Sequence, residues 1–180
     1  QVQTSSHKTG WSDTVNKLMT KFSDVAFMVS AGDQVTTNNS EEQYGYFITP
    51  ELAKIATATT VGEVHDDHAM YNSHFNLPNL STEYGVSAAS SNYYYRYSDT
   101  LFIHINVDNL EYAKHLEYIT KIVGENPDCT WKIVVVHYSS FSGGDHSGNY
   151  YEAKFSTNLV KGMADLGIDV VLSGHDHVYA

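Results

Sequence analysis

The stretch Val170-Val-Leu-Ser-Gly-His-Asp-His177 runs from a short apolar segment directly into two histidines and an aspartate. Two other apolar stretches end in the same way, Ala26-Phe-Met-Val-Ser-Ala-Gly-Asp33 and Ile133-Val-Val-Val-His137. Short β-branched runs of this kind are typical of buried strands. Because ligands of open α/β sheets bind beyond the carboxyl ends of the strands, we expect the three loops to converge on one site.

The apolar pattern of the chain predicts alternating strands and helices. Strands are predicted over 25–30, 101–107, 132–136 and 169–172, and a further strand over 93–97 in a more solvated sheet. Apolar residues at helical spacing predict helices over 11–22, 110–123 and 151–166, the first with a face of Val15, Leu18, Met19 and Phe22. This order predicts an α/β fold with a parallel or mixed sheet covered by helices, in one domain over 1–180.

The composition excludes several classes of protein. A hydrophobic content of 42% excludes a disordered chain, and no apolar run approaches the roughly 18 residues that a membrane-spanning helix needs. The net charge of −11, with 10 Lys and Arg, argues against nucleic acid as a partner. An anionic substrate therefore needs local help, such as a metal ion.

The single cysteine, the composition and the N-terminal residues indicate where such a protein would be found. Cys129 is the only cysteine, so no internal disulfide can form and the redox compartment cannot be inferred. The 14 tyrosines and the many Ser, Thr and Asn residues favour a secreted or cell-surface bacterial protein. No signal peptide begins at Gln1, so we expect the chain to be part of a longer parent with further domains.

The histidines at the strand ends suit a metal. His175 and His177 lie two residues apart and point the same way if the backbone is extended. With His137 and Asp33 they make a mixed nitrogen and oxygen set of the kind that Zn, Mn or Fe prefers. The alternative is that each histidine only caps a buried strand, which is the better interpretation of an isolated His-x-His but a poor one of the combination.

In order along the chain, the sequence has Gly32-Asp33, a block at Val61-Gly-Glu-Val-His-Asp66, then Val134-x-x-His137, then Gly174-His175-x-His177-x-Tyr179. This order resembles the calcineurin-like metallophosphoesterase superfamily, in particular its purple-acid-phosphatase-like branch. The resemblance covers essentially the whole chain. It implies a sandwich of two mixed β-sheets flanked by helices.

The resemblance also implies a role for each matching residue. Asp33 would bridge two metal ions, His177 would bind the first, and His137 with His175 would bind the second. His65 would protonate or stabilise the leaving group, and Asp66 would orient the His65 imidazole. His146 lies in a loop where relatives place a substrate-facing histidine, although a solvated loop histidine is at least as good an interpretation.

The sequence departs from the family pattern in two metal-binding blocks. The first strand of the family ends in a metal-binding aspartate that this chain lacks, so the domain is expected to lack its first strand and to be N-terminally truncated. The block around His65 lacks the usual Asn ligand, for which the carboxylate of Glu63 is a candidate replacement. The resemblance implies two ions (Fe, Mn or Zn) in the intact domain. Because of these departures, one ion or none is the alternative expectation for this chain.

Two functions from different classes follow. The first is metal-dependent hydrolysis of phosphoesters, most readily phosphomonoesters, by a metal-activated water acting on a small phosphorylated substrate. The alternative is a non-catalytic metal- or ligand-binding module of a larger surface protein, derived from the same fold. An Asp directly upstream of Gln1 in the parent would favour the enzyme.

Overall fold

The strands of the computed structural model, which describes residues 1–141, 143–144, 146, 148 and 150–178, form two sheets. In the smaller sheet, β1 (Phe27–Ser30) pairs in parallel with β2 (Ala56–Thr59). The larger sheet has the order β3 (Tyr93–Tyr97), β4 (Thr100–Ile105), β5 (Trp131–Val136) and β6 (Val170–Leu172). Its β3–β4 pair is antiparallel and its other pairs are parallel. The predicted α/β fold with two sheets and flanking helices is confirmed, although the smaller sheet is purely parallel rather than mixed.

Helices connect these strands. They are α1 (Ser5–Lys21), α2 (Glu41–Phe47), α3 (Glu63–Asp66), α4 (Met70–His74), α5 (Tyr112–Glu125), α6 (Tyr150–Phe155) and α7 (Lys161–Asp165). A 3₁₀ turn covers Leu52–Lys54, and a π-helical turn at Ser156–Val160 joins α6 to α7. Across the described ranges, no helix has the length and apolar character that a membrane crossing needs.

Three details of the predicted elements were wrong. Helix α1 begins at Ser5 rather than residue 11, because the Thr4 hydroxyl accepts the His7 backbone N–H at 3.2 Å and caps the helix. Phe22, placed on the buried face of this helix, is 49% exposed because the helix ends at Lys21. The 93–97 strand, expected in a more solvated sheet, pairs along its length with the central strand β4.

The main core lies between the larger sheet and the helices α5 to α7. Its fully buried members include Ile103 and Ile105 of β4, Ile119 of α5, and Leu159 of the π-helical turn. A second cluster lies beneath α1, where the Trp11 ring stacks on Phe47 at 5.4 Å and its indole N–H donates to the Phe47 carbonyl at 2.8 Å. In the segment predicted as a helix over 151–166, Phe155, Leu159 and Met163 are all buried against this core.

Contacts between the two sheets place their strand ends side by side. Phe27 of β1 meets Phe102 of β4 edge to face at 5.4 Å. Beyond β2, Thr60 Oγ1 lies 2.7 Å from His104 Nδ1 of β4, and the Tyr93 hydroxyl donates to the Thr59 carbonyl. The loops that follow β1, β2, β5 and β6 therefore meet at one place.

Replacing Ile103 with alanine tests the position of the core. Ile103 is fully buried at the centre of β4, so the cavity left by Ile103→Ala should cost about 2–5 kcal/mol of unfolding free energy, measured by urea denaturation. Leu110→Ala is the control, because Leu110 is 46% exposed and should cost much less. Equal losses for the two variants would contradict the described core.

The buried histidine of β4 should make folding sensitive to acid. Burial lowers the pKa of His104 to about 3, below the ordinary value near 6.5, so the unfolded chain takes up its proton first. The stabilisation is present above about pH 6.5 and is lost as the pH falls towards 3. Relative to His104→Asn, wild-type protein should lose about 2 kcal/mol of unfolding free energy between pH 6.5 and 5. Parallel pH profiles from urea melts of both proteins would refute this.

Candidate metal centre

Three side chains converge where the strand-end loops meet. Glu63, His137 and His175 each offer one ligand atom, and these atoms all lie within 4.8 Å of one another. His175 Nδ1 is 3.3 Å from His137 Nε2 and 3.6 Å from Glu63 Oε2. The two histidine side chains are 1% and 5% exposed, so water competes little for their nitrogens.

A backbone carbonyl fixes the orientation of His137. His137 Nδ1 lies 2.9 Å from the Ala31 carbonyl oxygen, which can only accept, so this contact assigns the proton to Nδ1. Burial lowers the pKa of His137, which keeps the ring neutral. Its Nε2 therefore carries the lone pair, which faces His175 Nδ1 at 3.3 Å. A buried nitrogen held in this way by a carbonyl is the common arrangement of a metal-binding histidine.

Asp33 lies at the border of this cluster. Its Oδ2 accepts a hydrogen bond from Gln1 Nε2 at 2.8 Å, and its Oδ1 is 3.4 Å from His137 Nε2. Within the described part of the chain, Asp33 Oδ1 and His175 Nε2 are buried and have no hydrogen-bond partner. Buried polar atoms without partners are costly, and a cation relieves that cost. The donors of this cluster fit a divalent metal ion of the Zn, Mn or Fe type.

The backbone at the site is strained. Asp33, Glu63, His175 and His177 all have positive φ values, of 59°, 54°, 68° and 56°. Each such residue costs on the order of 1–3 kcal/mol and persists only where surrounding contacts hold it. The expected extended backbone from His175 to His177 is therefore wrong, because both residues adopt the left-handed conformation.

Asp66 supplies contacts that hold two of the loops. Its Oδ2 accepts the backbone N–H groups of Asp33 and Gly62, both at 2.8 Å. Burial, reinforced by the charge of Asp33, raises the pKa of Asp66 to about 7, while the backbone donors oppose that rise. The carboxyl group thereby ties the loop after β1 to the loop after β2.

The predicted contact between Asp66 and the His65 imidazole is not observed. His65 Nδ1 instead lies 2.9 Å from the carbonyl oxygen of Thr36, and Asp66 is directed to the backbone N–H groups. Its carboxyl group is fully buried, whereas His65 is half-buried. The Thr36 carbonyl, and not a carboxylate, orients this imidazole.

Two glycines allow the loops to approach one another. A Cβ atom on Gly62 would lie 2.0 Å from the backbone nitrogen of Asp33, and one on Gly32 would lie 2.5 Å from His137 Nδ1. Gly32 also has a φ of 105°, which favours glycine. Any larger residue at either position would push Asp33 or His137 away from the cluster.

His146 and His177 lie beside the cluster rather than in it. The His146 ring packs over His175 with a centroid distance of 4.2 Å, and the His177 ring lies edge-on to His146 at 6.0 Å. His177 is exposed, and the structure does not bring it into the group of three ligands. Tyr179, part of the quoted motif, lies outside the described residues.

Several contributors to the site carry no signal in the sequence. The Tyr138 hydroxyl donates to Glu63 Oε1 at 3.0 Å, and Asp176 Oδ2 accepts the Gly143 backbone N–H at 2.9 Å. The Ala31 carbonyl and the Gln1 amide also contact the cluster residues. Each contact depends on which loops meet in space, and only the adjacency of Tyr138 to His137 could have suggested a role for that residue.

Comparison with known proteins agrees with this geometry. The family model for calcineurin-like phosphoesterase matches residues 6–179, nearly the whole chain, while no curated protein sequence matches it. Proteins of this family are hydrolases of phosphoesters that use divalent metal ions, in keeping with the cluster of Glu63, His137 and His175. From the extent of the match, the chain belongs to the calcineurin-like phosphoesterase family.

Proposed function

We propose that this domain hydrolyses phosphomonoesters at a metal centre built on Glu63, His137 and His175, with Asp33 at its border. The observation that carries the proposal is the set of ligand atoms within 4.8 Å of one another, presented by three loops at the strand ends. Membership in a family of metal-dependent phosphoesterases supports the same chemistry.

The charge of the protein explains why a cation is needed. The chain carries a net charge of −11, and none of the contacts described at the site involves Lys or Arg. A phosphate ester would therefore approach a protein of negative net charge, and no Lys or Arg contacts the described residues of the site to offset it. A divalent ion held by these residues supplies Lewis-acid polarisation of the phosphoryl group and acidification of a water molecule. Neutral His137 offers such an ion its Nε2 lone pair.

His65 is the candidate proton donor of the reaction. The Thr36 carbonyl holds its Nδ1, which leaves Nε2 as the nitrogen that can pass a proton to a departing alkoxide oxygen. His65 lies in α3, two residues after the ligand Glu63. His146, packed over His175, is the candidate for contact with the substrate.

A metal- or ligand-binding module without turnover is the second candidate. Two observations favour it. The described ranges contain a single group of three clustered His, Asp or Glu ligands, and His177 is exposed outside that group. A second ion would then lack a comparable set of ligands. This candidate shares the metal centre with the first and differs from it in showing no hydrolysis.

Removing one ligand tests the proposed activity. His137→Ala should lower the rate of p-nitrophenyl phosphate hydrolysis in the presence of Mn²⁺ by at least about 100-fold, because a direct ligand is lost where supporting residues alone typically account for 10–100-fold. The assay is colorimetric. His7→Ala is the matched control, since His7 is an exposed histidine of α1 and should retain wild-type activity.

If wild-type protein and His137→Ala both fail to hydrolyse the ester, although wild-type protein binds the metal, the binding module is the better account. Equal and substantial activities of the two proteins would contradict the proposed site.

Metal removal provides an independent test. Chelation should lower the melting temperature of the wild-type protein, and Mn²⁺ at about 100 times its Kd should restore about 2.7 kcal/mol of stability, since the ion binds only the folded site. Differential scanning calorimetry measures this shift. The same titration should leave His137→Ala nearly unchanged, and an equal shift in both proteins would mean that the ion binds elsewhere.

A further inference from the structure

Tyr138 immediately follows the ligand His137 and is almost fully buried, with 2% of its surface exposed. Its hydroxyl donates to Glu63 Oε1 at 3.0 Å. Its ring lies edge-on to the His175 ring, with centroids 5.0 Å apart and an interplanar angle of 80°. Tyr138 thus contacts two of the three clustered ligand residues and is joined to the third through the chain.

Because of this hydrogen bond, the two oxygens of the Glu63 carboxylate have different surroundings. Oε1 is occupied by the Tyr138 hydroxyl, while Oε2 faces His175 Nδ1 at 3.6 Å. Because an ionised carboxylate oxygen can only accept, the Tyr138 hydroxyl is the donor in this contact. A protonated phenol committed in this way to a carboxylate acts on the ligand rather than as a ligand itself.

Glu63 needs such support more than an ordinary ligand does. Its backbone is in the left-handed region, with φ 54°, and its side chain is 24% exposed. A flexible carboxylate at a partly exposed position loses rotamer freedom when it binds an ion. A hydrogen bond to a rigid, buried phenol removes part of that freedom before binding.

We propose that Tyr138 is a positioning residue of the metal centre, which holds the Glu63 carboxylate so that Oε2 is presented to the ion together with His137 and His175. The inference rests on the proposed function of this cluster as a metal centre. In it, the hydrogen bond from Tyr138 to Oε1 leaves Oε2 as the metal-binding oxygen of Glu63.

The first part of the test compares two isosteric substitutions. Tyr138→Phe removes only the hydroxyl, and Tyr118→Phe is its matched control. Tyr118 is 3% exposed in the same core cluster, and in the described structure its buried hydroxyl makes no hydrogen bond. Calorimetric titration of metal-free protein with Mn²⁺ should show a Kd about 10–100 times higher for Tyr138→Phe and unchanged for Tyr118→Phe. Circular dichroism melting checks that each variant folds.

The second part shows whether Tyr138 acts through Glu63. In a Glu63→Ala background, Tyr138→Phe should cause no further loss of affinity, because the carboxylate that it positions is absent. A general structural defect would weaken binding equally in both backgrounds, and that result would overturn the inference. Wild-type affinity in the Tyr138→Phe protein would also overturn it while leaving the metal centre intact. If wild-type protein binds no Mn²⁺, the proposed function fails and the inference fails with it.

Discussion

Two buried imidazoles and a carboxylate are packed together where the strand ends meet. His137 Nε2 and His175 Nδ1 are 3.3 Å apart, and the carboxylate oxygen of Glu63 lies 3.6 Å from the same His175 nitrogen. With the His137 proton assigned to Nδ1, His137 Nε2 accepts from the His175 Nδ1–H, which leaves His175 Nε2 and Asp33 Oδ1 buried without a hydrogen-bond partner among the described residues. A cation at this point turns an unfavourable arrangement into an attractive one, and so the folding of the strand ends and the chemistry of the site are linked.

The surrounding fold supplies what this arrangement requires. Asp66 ties the Asp33 loop to the Gly62 loop through backbone N–H groups, and Gly32 and Gly62 leave room for their close approach. The Ala31 carbonyl orients His137, and the Gly174 N–H donates to the His137 carbonyl, which holds the last strand end against β5. Strained φ values at ligand positions are sustained by these contacts rather than by local preference.

The sequence predicted the parts of the fold that depend on strong local patterns. Apolar runs correctly predicted the strands β1, β4, β5 and β6. The polar residues that follow these runs predicted that His137 and His175 lie close together. The strand Ala56–Thr59 escaped prediction because its small side chains show no apolar run, and its pairing with β1 is long-range. The family resemblance assigned Asp66 to its neighbour His65, whereas the Asp66 carboxylate accepts from the backbone N–H groups of Asp33 and Gly62. Such contacts are decided by tertiary structure.

Anomalous X-ray diffraction from crystals soaked in Mn²⁺ would locate the bound ion in the protein. If this cluster is the metal centre, the anomalous peak lies between Glu63 Oε2, His137 Nε2 and the His175 ring, with Asp33 beside it. An ordered crystal with full Mn²⁺ access and no peak among these residues, or with its strongest peak at an unrelated surface carboxylate, would contradict the assignment of this cluster as the metal centre.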